Sequence, residues 1–90
     1  MPEVLFEGLR ISPSHSAMRE LMAEGLTLED VKEVLENGEP APRKRKRSVI
    51  DKWLSKGSKT YNAAVVLCHN EVLKEDIWLL IHFGRFTRRK

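Results

Sequence analysis

Pro40, Pro42 and the run Arg43-Lys44-Arg45-Lys46-Arg47 cut the sequence into two halves that repeat with different periods. Before them, apolar residues recur at the three- and four-residue spacing of a helix. After them, apolar residues gather in short runs bounded by glycine, asparagine and serine, as strands do. A chain of 90 residues has one core to share between the halves, so residues 1–90 are expected to form a single α+β domain.

In the first half, Val4-Leu5-Phe6 and Leu9-Arg10-Ile11, separated by Gly8, read as a short strand or an extended lead-in. Ser12-Pro13 suits a helix opening, Ala17, Met18, Leu21 and Met22 supply a stripe, and Gly25 supplies a left-handed stop; the first helix is predicted over 13–24. Thr27 caps a second helix whose early acids, Glu29 and Asp30, oppose its dipole. Leu28, Val31, Val34 and Leu35 form its apolar face, and Asn37-Gly38 ends it.

In the second half, 48–55 and 59–69 read as a hairpin around Lys56-Gly57-Ser58. Val49, Ile50, Trp53 and Leu54 also fit a helical stripe, so 48–55 is the element with two readings. Residues 76–83 are apolar on both faces, which predicts a central strand, and 70–75 turn into it. The expected order is β-α-α-β-β-β, with two N-terminal helices packed on one face of an antiparallel sheet of three to four strands.

Charge follows the same division. Residues 1–42 carry three basic and nine acidic side chains, net −6; residues 43–90 carry thirteen and four, net +9. Arg43, Lys44, Arg45, Lys46 and Arg47 form one basic cluster, and Arg85, Arg88, Arg89 and Lys90 form another. Together they would grip a polyanion such as RNA or DNA. The same run also reads as a solvated loop or, in a eukaryotic source, an import signal.

Several classes of function are disfavoured. No apolar run is long enough to cross a membrane, and acids stand where a signal peptide would be basic. The single cysteine, Cys68, can form neither an internal disulfide nor a metal knuckle, so a reduced cytoplasmic setting is expected. The histidines show no metal-ligand spacing and no glycine-rich phosphate loop is present, so neither metal nor cofactor is expected.

His15 and Arg19 lie four apart near the start of the first helix, where free N–H groups favour a phosphate. They read as a proton-transfer and anion-holding pair, or as surface residues with Arg19 paired to Glu20 or Glu24. His82 interrupts the last apolar run shortly before Arg85. It reads as a second acid/base group, or as a hydrogen-bonded histidine at the core margin. Lys59, Tyr61, Arg88 and Arg89 are candidate nucleic-acid contacts, Tyr61 by stacking.

The stretch 11–38, ISPSHSAMRELMAEGLTLEDVKEVLENG, resembles the opening of a widespread prokaryotic family of small domains. That family has a Ser-x-His-Ala-x-x-Arg helix, then Gly-hydrophobic-[Ser/Thr]-x-x-Asp-Val, and a second helix closing near Asn-Gly. The matching positions are Ser12 or Ser14, His15, Ala17, Arg19, Met22, Gly25, Thr27, Asp30, Val31, Asn37 and Gly38. Ser16 stands where the family often has alanine, and Leu21 where methionine often follows the arginine. The family is similar, remotely, to RelE/barnase-like ribonuclease toxins, which are metal-independent.

The resemblance implies a RelE-like fold, RNA as substrate, a toxin role with an antitoxin partner, and catalytic roles for His15 and Arg19. His82 and Arg85 join that site from their position and chemistry alone. The expectation is therefore a toxin-like endoribonuclease that cleaves by transphosphorylation, with a non-catalytic nucleic-acid or protein-binding module as the alternative. A homodimer held by opposite charges is a third reading. On the nuclease reading, His15→Ala leaves folding intact and abolishes RNA cleavage; unchanged cleavage by that variant would remove the role.

Overall fold

The computed structural model describes residues 4–40 and 49–87; the runs at 43–47 and 88–90 lie outside the described residues. Its elements are β1 (Leu5–Phe6), β2 (Leu9–Pro13), α1 (His15–Glu24), α2 (Leu28–Asn37), β3 (Glu39–Pro40), β4 (Val49–Lys56), β5 (Lys59–Asn70) and β6 (Glu75–Thr87). The α+β class is as expected. The sheet differs from the expected antiparallel one: it has six strands in the order β1-β2-β6-β5-β4-β3, and β2 runs parallel to β6.

The difference begins at Ser12-Pro13. These residues extend β2, facing Leu79 and Leu80, and do not open the helix. Proline is tolerated because its nitrogen lies on the side away from β6, as the Ile11 N–H does, and β1 has already ended there. The cap falls to Ser14, whose hydroxyl accepts the Ala17 N–H at 3.2 Å. Gly25 closes α1 in the left-handed conformation (φ 68°), donating back to the Met22 carbonyl. At α2, the Asp30 carboxylate accepts the Thr27 N–H at 2.8 Å and its hydroxyl at 3.2 Å, so the first-turn acid secures the cap.

The segment 48–55, open to two readings in the sequence, is strand: Val49–Lys56 pairs with β5 from Val49↔Val66 to Lys56↔Lys59. β6 is central, as its two apolar faces predict, with β2 on one side and β5 on the other. Its pairing with β5 skips one residue: Ala64 faces His82 but Val65 faces Leu80. Ile81 is thus the extra residue of a β-bulge, and Leu80 and Phe83, three apart, both reach the same core.

That core unites the two helices with one face of the sheet. Ala17 and Leu21 of α1, and Val31, Val34 and Leu35 of α2, meet Ile11, Ala63, Val65, Leu80 and Phe83. Phe6 packs beside Trp78 with ring centroids 5.8 Å apart, and the Trp78 indole N–H donates to the Phe6 carbonyl. Burying these side chains is what stabilises two ten-residue helices too short to persist alone. No helix is long and apolar enough to cross a membrane among the described residues.

Gly38 marks the closest backbone approach. A Cβ there would overlap the Val34 carbonyl oxygen and lie 2.7 Å from that of Trp53. Gly38→Ala is therefore expected to cost about 1–3 kcal/mol by forcing α2 away from β4. A denaturant midpoint unchanged from wild type would contradict this contact.

Candidate nucleic-acid interface

The Ser14 N–H donates to the Leu80 carbonyl at 2.9 Å, so α1 starts where β2 leaves β6 and then runs along the same strand. With about 100° of turn per residue, the helix presents two polar sides. His15, Met18, Arg19 and Met22 form one exposed stripe. Glu20 and Glu24 lie beside Ala17 and Leu21 on the side facing the sheet.

Both carboxylates are engaged by β6. Glu20 accepts the Phe83 backbone N–H at 3.0 Å through Oε1 and meets His82 Nδ1 at 3.3 Å through Oε2. Glu24 meets the Arg85 guanidinium at 2.5 Å. These groups are about a third exposed or more, so water screens the ion pairs and each contributes modestly to stability. The Phe83 contact has a structural purpose: past Leu80 no strand lies on that side of β6 among the described residues, and a carboxylate accepts the N–H instead.

The four candidate catalytic residues consequently fall into two sets. His82 and Arg85 are held against α1, whereas His15 and Arg19 point outward, about 140° around the helix from Glu20 and Glu24. Among the described residues His15 and Arg19 make no ion pair. Glu20 and Glu24 were not singled out from the sequence as partners of β6. The available signal was that acids at 20 and 24 share the helix side of Ala17 and Leu21, so they had to meet something across the core margin.

The candidate binding residues separate as well. Tyr61 is partly buried and packs against the core, its ring 6.4 Å from that of Phe83. Lys59 faces Thr87 across β5 and β6, so the β4–β5 turn and the last residues of β6 share one end of the sheet. From Thr87 the chain continues directly into Arg88, Arg89 and Lys90, which lie outside the described residues together with Arg43, Lys44, Arg45, Lys46 and Arg47. The latter run precedes Val49, at the opposite end of β4 from Lys56. Val49 and Lys56, the two ends of β4, are roughly 20–25 Å apart at the usual strand rise.

No family model, curated protein or solved structure matches this chain.

On the sheet face away from the helices, Asn62 donates to Asp51 at 2.5 Å and to the Lys52 carbonyl at 3.0 Å, and Thr60 is buried beside them. This polar cluster was not anticipated, because a strand alternation shows which residues share a face but not whether a polar pair on it is buried. Among the described residues no group of histidine, cysteine or carboxylate side chains is arranged to hold a metal. At the β4–β5 turn, the Lys56 ammonium binds Glu33 of α2.

Two measurements test this arrangement. Glu20→Ala is expected to lower unfolding free energy by about 1–2 kcal/mol through the orphaned Phe83 N–H, and Arg19→Ala by less than about 0.5 kcal/mol; equal effects would contradict the assignment. The hydrogen bond to Glu33 raises the Lys56 pKa above 10.5. The stability it contributes is complete below that value and disappears as pH rises through the folded one. Lys56→Met should therefore flatten the alkaline limb of the stability profile.

Proposed function

We propose that this protein is a nucleic-acid-binding module that grips a phosphate backbone with the basic half of its chain and leaves the strand intact. The observation that carries this reading is the register Lys59↔Thr87. It puts Lys59 at the same end of the sheet as Thr87, from which the sequence continues into Arg88, Arg89 and Lys90. Neutralising several phosphates together supplies most non-specific affinity. A second cluster, Arg43–Arg47, precedes β4 in the sequence and adds five cations to the same half of the chain. The acids of α2, Glu29, Asp30, Glu33 and Glu36, would repel a polyanion, and Glu33 already meets Lys56 at this end of the sheet, so the proposed contact falls on the β6 side of it.

A second reading, metal-independent RNA cleavage, is favoured by the Glu20–His82 contact. A carboxylate there would take the 2′-OH proton, the imidazole would protonate the leaving 5′-oxygen, and Arg85 would stabilise the crowded phosphorane. Weighing against it, Glu20 also caps a backbone N–H and Glu24 already binds Arg85. His15 lies at the Leu80 level of β6, seven residues and roughly 23 Å from Thr87. A toxin role with an antitoxin partner belongs to this second reading.

Fluorescence anisotropy with a labelled single-stranded RNA in EDTA separates the two. Binding is expected to weaken with salt. The variant Arg88→Ala/Arg89→Ala/Lys90→Ala should reduce the slope of log K against log salt by about 2, with the RNA recovered whole. An unchanged slope would contradict the basic sheet end, and products bearing 2′,3′-cyclic phosphate would replace the binder with the nuclease.

A further inference from the structure

The binding reading leaves α1's outward stripe unused, and the stripe is unusual. Met18 is 41% exposed and Met22 72%, and they alternate with His15 and Arg19. A second apolar set lies at the far end of the β5–β6 ribbon. There Leu67 is 45%, Val72 89% and Leu73 43% exposed. Leu5 is the other large hydrophobic found exposed among the described residues. Scattered apolar side chains need no explanation, but two clusters on opposite parts of one small domain do.

The ribbon projects beyond its neighbours. Pairing with β4 stops at Val66 and pairing with β2 stops at Trp78, so from Leu67 to Ile77 β5 and β6 have only each other among the described residues. Ile77 is buried at the base of this ribbon, and what stands clear of the domain is its outer end around residues 71–74. The tip also has a charge: Glu71, Glu75 and Asp76 outnumber Lys74. Arg10 reaches Glu75 and His69 reaches Asp76, while Glu71 makes no ion pair among the described residues.

We propose that the exposed stripe of α1 is the docking site for the β5–β6 tip of a second copy of this chain. The chemistry is complementary: methionines flanked by Arg19 and His15 meet Val72 and Leu73 flanked by Glu71. Methionine suits this task because its flexible thioether adapts to an irregular apolar tip. A chain cannot satisfy itself. The tip lies roughly 20–25 Å along β6 from Leu80, beside which α1 begins and from which it runs further away. Reciprocal docking gives a two-fold dimer, each tip on the partner's helix and each patch covered once. It also gives His15 and Arg19 a recognition role.

Light scattering of the full chain across micromolar to millimolar concentration tests this. A dimer is expected at low salt and weakens as salt rises. Met18→Ser/Met22→Ser and Val72→Ser/Leu73→Ser alter exposed side chains only, and each should raise the dimer dissociation constant about tenfold or more, with circular dichroism unchanged. Arg19→Glu should do the same, and Arg19→Glu/Glu71→Lys should restore the dimer. A monomer throughout the range would overturn the proposal. So would a dimer that withstands both serine pairs, or one sensitive to a single pair. If the tip variant instead alters RNA binding with the mass unchanged, the tip is a nucleic-acid contact and the dimer is excluded.

Discussion

β6 must satisfy its backbone on two sides, and on one of them its neighbour runs out midway. β2 pairs with it through Leu80 and then ends. Beyond that point the Ser14 N–H takes the Leu80 carbonyl, and Glu20 accepts the Phe83 N–H. One strand edge is thus completed by strand first and helix second. The position of α1, the side of it that carries Glu20 and Glu24, and the outward direction of His15 and Arg19 all follow from this handover.

Periodicity made much of this fold readable. Leu28, Val31, Val34 and Leu35 are a clean stripe, and three of the four are buried. The two apolar faces of 76–83 marked a central strand, and the central position is observed. What stayed hidden depended on partners distant in sequence. Ser12-Pro13 has the local chemistry of a helix cap, and only pairing with Leu79 and Leu80 makes it strand. Met18 and Met22 looked like core beside Ala17 and Leu21, because hydrophobicity does not reveal which neighbour faces the sheet. The Ile81 bulge, which brings Leu80 and Phe83 to one core, breaks the two-residue alternation that would have exposed it.

The candidate site was legible as chemistry and not as geometry. The basic runs of the second half lie outside the described residues, and of the candidate cations Lys59 stands opposite Thr87 at one end of the sheet. Grouping His15, Arg19, His82 and Arg85 required them to converge, and α1 stands between the two pairs with its acids turned inward. Charge thus has one use that is seen, carboxylates fastening the helix to β6, and one that is proposed, basic runs binding a polyanion.

Amide chemical shifts followed during titration with a short single-stranded RNA test this division most directly. The account expects the largest changes at residues 56–60 and 85–87, with His15 and Arg19 nearly still. Changes centred on His15, Arg19, Glu20 and His82 would contradict it, because they would mean that the RNA lies across α1 and that the two pairs act as one site.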